Sequence, residues 1–208
     1  MNTDAGLLSN QLWPRSRDSG WTRTVVLAVL GSLLVAAAAQ ITVPMWPVPM
    51  TMQTLAVLAV GAAYGSRLGA ATLGLYMIEG AVGLPFFRGG KSGLQDDALA
   101  YWFPSGSMGY LIGFILAAWL VGMLVERGWG ATLLKTIAAT LVGALVLYVP
   151  GLIWLAIWAA KTGVVPEGQT AIGAALSWGL YPFLAGDAVK AVIAGLAVPA
   201  AGQLLARR

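Results

Sequence analysis

Asp187 and Lys190 stand three residues apart in a stretch, 171–206, that is otherwise uncharged. On a helix that spacing puts both on one face as neighbours. Side by side they offer a polar ligand an anion to donate to and an ammonium to accept from. The competing reading is a structural ion pair that fixes helix register, since a buried pair is weak evidence for stability. Glu79 is a further acid in apolar surroundings, but near a span end, where snorkelling or capping is cheap. Arg88 follows Leu84-Pro85-Phe86-Phe87 and precedes Gly89-Gly90-Lys91, so a guanidinium fork suited to a carboxylate sits beside aromatic bulk and a flexible hinge. A solvated loop with an ordinary interfacial arginine is the alternative. Thr51 and Gln53 bring polar side chains to the start of another apolar run, where Thr51 reads as an N-cap.

Absent residues narrow the chemistry. With no Cys and no His, thiol nucleophiles, disulfides and most zinc or haem sites are excluded. Walker A, G-x-S-x-G and H-E-x-x-H patterns are missing, so the chain carries no nucleotide-hydrolysis or hydrolase signature. No cofactor is implied. A carboxylate-based membrane enzyme built on Glu79, Asp96, Asp97 or Asp187 stays open, although nothing in their spacing requires it.

The elements that must position these residues follow from composition. Of 208 residues 59% are apolar and 10% charged, with a mean hydropathy of +0.80. A soluble domain carries about 25% charged residues, so this is an all-α integral membrane protein. The net charge of +4 and pI near 9.6 report topology rather than nucleic acid. Uncharged stretches mark the spans, each needing about 20 residues. Thr24 to Ser66 is too long for one helix, and Pro44, Pro47 and Pro49 divide it. The expected spans are 24–42, a short 51–64, 68–82, one from about Ser107 to Val125, one within 131–160 kinked at Pro150, and a last one within 171–206. A short interfacial segment would precede the last, with Pro182 in its first turn. Six spans make one membrane domain over 24–206 behind a cytoplasmic segment 1–23.

Orientation follows from the basic residues. With the N-terminus inside, the cytoplasmic side receives Arg15, Arg17, Arg23, Arg67, Arg127, Lys135, Arg207 and Arg208, and the outside only Arg88, Lys91 and Lys161. That is the positive-inside pattern with both termini cytoplasmic. Most tryptophans fall near helix ends at headgroup level, while Trp119 falls mid-span and reads as packing. Arg23 and the run ending Ala36-Ala37-Ala38-Ala39-Gln40 imitate a cleavable signal, yet removal would leave an odd span count.

Small residues carry a packing message. Gly61, Gly65 and Gly69 recur every four residues, which lets helix backbones approach closely. Ala28, Ser32 and Ala36 repeat the spacing in the first span, as a docking face for another subunit or as internal packing.

Ile41-Thr42-Val43-Pro44 followed by Val48-Pro49-Met50-Thr51-Met52-Gln53-Thr54-Leu55 resembles the BioY family of biotin transporters. The order continues with Gly80-Ala81-Val82-Gly83-Leu84-Pro85-Phe86-Phe87, Gly109-Tyr110-Leu111-Ile112-Gly113-Phe114 and Gly186-Asp187-Ala188-Val189-Lys190-Ala191. The segment Phe103–Tyr110 is longer than the family's Gly-Pro-Thr-x-Gly-Tyr. The resemblance implies a six-helix substrate-binding S component of an energy-coupling factor transporter in the cell membrane, taking up biotin. Its partners would be a transmembrane coupling subunit and ATPase subunits. It further implies that Asp187, Lys190 and Arg88 bind the ligand. Biotin's ureido ring would meet Asp187 and Lys190, its carboxylate Arg88, and its apolar parts Phe86, Phe87, Tyr110 and Trp102, with Tyr76 on the wall and Gln53 nearby. A carrier for another vitamin, such as thiamin or riboflavin, is the second reading.

Overall fold

The computed structural model describes residues 7–13, 20–94 and 105–206, and most of them are helical. In chain order come α1 (Leu8–Leu12), α2 (Gly20–Gln40), a hairpin of β1 (Thr42–Val43) and β2 (Met50–Thr51), then α3 (Gln53–Tyr64) and α4 (Ser66–Ala81). After a 3₁₀ turn at Arg88–Gly90 follow α5 (Met108–Glu126), a 3₁₀ turn at Trp129–Ala131, α6 (Leu133–Val146), α7 (Tyr148–Thr162), α8 (Ala171–Gly179) and α9 (Leu184–Ala206). Arg15, Arg17, Asp96, Asp97, Trp102, Arg207 and Arg208 lie outside the described residues.

Four helices are long and apolar enough to cross a bilayer: Gly20–Gln40, Met108–Glu126, the continuous stretch Leu133–Thr162, and Leu184–Leu204. α3 and α4 have 12 and 16 residues, about 18 and 24 Å at 1.5 Å per residue. They fall short of the roughly 30 Å hydrocarbon core. The helix assignment is interrupted just before Pro150: α6 ends at Val146 and α7 begins at Tyr148. Pro150 has no N–H for the Val146 carbonyl, and its ring crowds that carbonyl.

Glycine decides how close α3, α4 and α5 come. A Cβ on Gly61 would sit 2.7 Å from the Ala118 carbonyl oxygen, and one on Gly69 3.3 Å from the Gly61 Cα. A Cβ on Gly122 would run into the backbone at Gly65 and Ser66. Gly65 turns the chain between α3 and α4 at φ 82, a conformation only glycine adopts freely. At that turn Glu126, the last residue of α5, accepts from the Ser66 N–H and hydroxyl, each at 2.7 Å. The carboxylate thus caps α4 from a different helix, where the dipole favours an anion. At the same end Arg23 is buried and donates to the Ser9 carbonyl and the Asn10 side chain at 2.8 Å. This ties α1 to the bundle.

Three expectations change. Ala28, Ser32 and Ala36 are buried inside the chain. Gly31 on the same face fits beneath Thr72 and Tyr64, and the Ser32 hydroxyl donates to Val29 O at 2.9 Å. The small residues serve contact with the chain's own α3 and α4, so they are no docking face. The outward side of α2 presents Leu30, Leu33 and Leu34. Trp119 is 46% exposed, on the outer surface rather than in packing. α9 starts at Leu184, because Phe183 and Leu184 donate to Leu180 O in a turn that contains Pro182. Asp187 is therefore in the first turn of α9, where the helix dipole favours its charge.

Candidate functional site

A pocket opens where the hairpin, the start of α3, the Arg88 turn, the start of α5, the α6–α7 junction and the first turns of α9 converge. About 730 Å³ inside it, open mouth and adjoining solvent included, is free of protein atoms. Leu111, Phe114, Leu147 and Phe183 give it apolar walls, and Asp187, Lys190, Gln53 and Arg88 its polar groups.

Asp187 and Lys190 are 4% and 6% exposed, paired at 2.9 Å. The other Asp187 oxygen accepts from the Tyr148 hydroxyl at 2.5 Å. Lys190 donates a second bond, 2.8 Å, to the Thr51 carbonyl. That carbonyl is available because Pro44, Pro47 and Pro49 keep this segment extended instead of helical. An ammonium has three N–H donors and each carboxylate oxygen two lone pairs. The pair therefore retains one donor and spare acceptor sites for a ligand.

A second chain of bonds supports the hairpin side. The Thr51 hydroxyl donates to Gln53 Oε1 at 3.0 Å, Gln53 Nε2 to the Tyr76 hydroxyl at 2.9 Å, and that hydroxyl to Phe86 O at 3.2 Å. Met52, not Thr51, is the N-cap position of α3. Thr51 still accepts from the Gln53 N–H at 3.2 Å, a local turn bond rather than a cap. Tyr76 is wholly buried yet reaches the pocket wall, as does Tyr110. The Tyr110 hydroxyl donates to Gly179 O at 2.8 Å, so its ring faces a ligand as apolar surface. That ring meets Tyr148 edge to face, centroids 6.2 Å apart.

Arg88 lines the pocket half-buried, and its guanidinium has no hydrogen bond or ion pair among the described residues. Phe86 and Phe87 do not line it. Phe87 packs edge to face on Tyr76 at 5.7 Å and against Gly80, where a Cβ would overlap its ring. Successive residues of the extended segment point opposite ways, so Phe87 turns into the core and Arg88 away from it. Glu79 is also outside the lining; its Oε2 is buried with no hydrogen-bond partner among the described residues. Three tryptophans cluster at this end of the bundle: Trp46 lies 5.3 Å from Trp178 and 6.3 Å from Trp158, centroid to centroid.

Sequence reasoning missed Tyr148, Leu147 and Phe183. In an apolar span a tyrosine has no distinguishing signal beyond, here, its place two residues before Pro150.

The model described as the BioY family matches residues 8–207. The biotin transporter BioY of Rhodobacter capsulatus is 34% identical over 175 residues, covering 82% of this chain and 88% of that protein. That of Rhizobium etli is 33% identical over 185 residues, covering 84% and 90%. The crystal structure at 2.1 Å of the S-component for biotin from an ECF-type ABC transporter superposes with a TM-score of 0.71. It is 19% identical and covers 89% of this chain and 94% of its own, a likeness of fold.

Proposed function

The chain belongs to the BioY family, and from that premise we propose that it takes up biotin as the substrate-binding S component of an energy-coupling factor transporter. The observation that carries the reading is a buried Asp187–Lys190 pair with unused hydrogen-bonding capacity, in one pocket with an Arg88 that has no partner among the described residues. The ureido ring of biotin has two N–H donors and one carbonyl. Asp187 accepts from the former and the third N–H of Lys190 donates to the latter. Arg88 takes the valerate carboxylate at the pocket's other polar edge. Tyr110, Leu111, Phe114 and Phe183 cover the thiophane ring and alkyl chain.

In this reading six segments cross the cell membrane. α3 and α4 are completed by the hairpin and the Arg88 turn, which is non-helical backbone tolerated at membrane depth because it lines a cavity. Arg23, Arg67, Arg127 and Lys135 fall at the end away from the pocket, and Arg88, Lys91 and Lys161 at the pocket end. This supports cytoplasmic termini and a pocket open to the outside, in one membrane domain over 24–206. Transport would draw on a transmembrane coupling subunit and ATPase subunits. A partner approaching α2 meets Leu30, Leu33 and Leu34, not the buried Ala28, Ser32 and Ala36.

Titrating the purified protein with biotin, thiamin and riboflavin tests the reading: biotin alone is expected to bind, and tighter binding of either other vitamin would displace it. Two variants test the roles. Arg88→Ala should weaken biotin tenfold or more, about 1.4 kcal/mol, but leave biotinamide, which has no anion, within about twofold. Equal losses for both ligands would make Arg88 a loop residue. Tyr148→Phe keeps the ring and removes one donor from a charged acceptor, a bond worth about 1.5–3 kcal/mol. Biotin affinity should fall about tenfold and the melting temperature by several degrees, at about 2–4 °C per kcal/mol for a chain of this size, and unchanged affinity would leave Tyr148 as wall alone.

A further inference from the structure

Arg88 has nothing among the described residues to hold its side chain, so its aim depends on the backbone that carries it. That backbone is intrinsically loose. Gly89 and Gly90 follow at once, with φ of 69 and 71, and glycine populates many alternatives to such a conformation. One side is fastened: Phe87 seats against Gly80 and Tyr76, and its N–H donates to Lys91 O at 2.9 Å. The other fastening comes from α2. Gln40, its last residue, donates from Nε2 to Phe87 O at 3.2 Å and accepts at Oε1 from the Gly90 N–H at 2.9 Å. Its second Nε2 hydrogen goes back to Ala36 O at 3.2 Å, so the amide is itself held by its own helix. All three bonds agree on one amide orientation, because the reverse would set nitrogen against N–H and oxygen against two carbonyls.

We propose that Gln40 is a positioning residue for biotin recognition, clamping the backbone on both sides of Arg88 so that the guanidinium stands ready for the ligand's carboxylate. This rests on the reading of Arg88 as the carboxylate partner. Gln40 touches neither the ligand nor Arg88's side chain; it removes freedom from the turn between them. The role is specific to one end of the ligand, since the ureido-binding pair is held separately by Tyr148 and Thr51.

The test uses the full chain in detergent, with biotin and biotinamide titrated against the unmodified protein, Gln40→Ala, Gln40→Glu, Arg88→Ala and Gln40→Ala/Arg88→Ala. Gln40→Ala should weaken biotin about fivefold, the scale of one or two hydrogen bonds, and biotinamide less than about twofold. Gln40→Glu keeps the acceptor for Gly90 but opposes the Phe87 carbonyl, and should show the same selective loss. The double variant should be no weaker than Arg88→Ala, because the clamp has no purpose without the arginine. Equal losses for the two ligands, or single losses that multiply in the double variant, would overturn the positioning role. A selective loss in Arg88→Ala beside a silent Gln40→Ala overturns this proposal alone. An unselective Arg88→Ala overturns the carboxylate reading and the clamp together.

Discussion

Asp187→Asn is expected to weaken biotin binding at least a hundredfold, about 2.7 kcal/mol. The carboxylate balances the buried Lys190, accepts from Tyr148 and offers its remaining lone pairs to the ureido ring. Removing one partner of a buried pair leaves an uncompensated charge, a loss of about 3–5 kcal/mol, so this variant should also melt earlier. A double substitution separates the two effects. Asp187→Leu/Lys190→Met removes both charges and fills similar volume, which is often neutral or stabilising for folding. The melting temperature should recover while biotin binding stays lost. Calorimetric titration and thermal unfolding of both variants decide the matter. Near-normal affinity in the double variant would reduce the pair to a register device.

Gly61→Val should disrupt folding through packing alone. Its Cβ would lie 2.7 Å from the Ala118 carbonyl oxygen and 2.9 Å from the Ala118 Cα, backbone atoms that cannot swing aside. Overpacking typically costs about 1–3 kcal/mol, and here the strain falls where α3, α4 and α5 meet. Gly74→Val is the control, since a Cβ on Gly74 meets nothing within 4 Å. The first variant should melt well below the unmodified chain or fail to purify as a monodisperse species, and the second should behave normally. Similar melting of the two would show that α3 and α5 can separate without loss.

The features legible in sequence are those governed by local rules. A charge in hydrocarbon is expensive whatever surrounds it, so uncharged runs marked the long apolar helices, and prolines marked the break after the first of them and the interruption between α6 and α7. The i, i+3 spacing of Asp187 and Lys190 is a property of one helix and survives any packing. Gly61, Gly65 and Gly69 signalled close approach correctly, although the helix that approaches most closely, α5, came only with the fold.

Tertiary structure decided which side of each helix faces inward. In water an apolar stripe answers that question; in lipid the outside of a helix is as apolar as its inside, and packing and hydrogen bonds take over. Ala28, Ser32 and Ala36 therefore read equally well as an outer docking face and as the inner contact they form, and Trp119, read as packing, lies on the surface. The same holds for partners distant in sequence. Tyr148 lies 39 residues from Asp187, Gln40 50 residues from Gly90, and Glu126 60 residues from Ser66. Each is an ordinary side chain at its own position. The arrangement around Asp187, Lys190 and Arg88 exists because helices that hydrophobicity alone cannot orient are locked by glycine contacts and a few polar bonds.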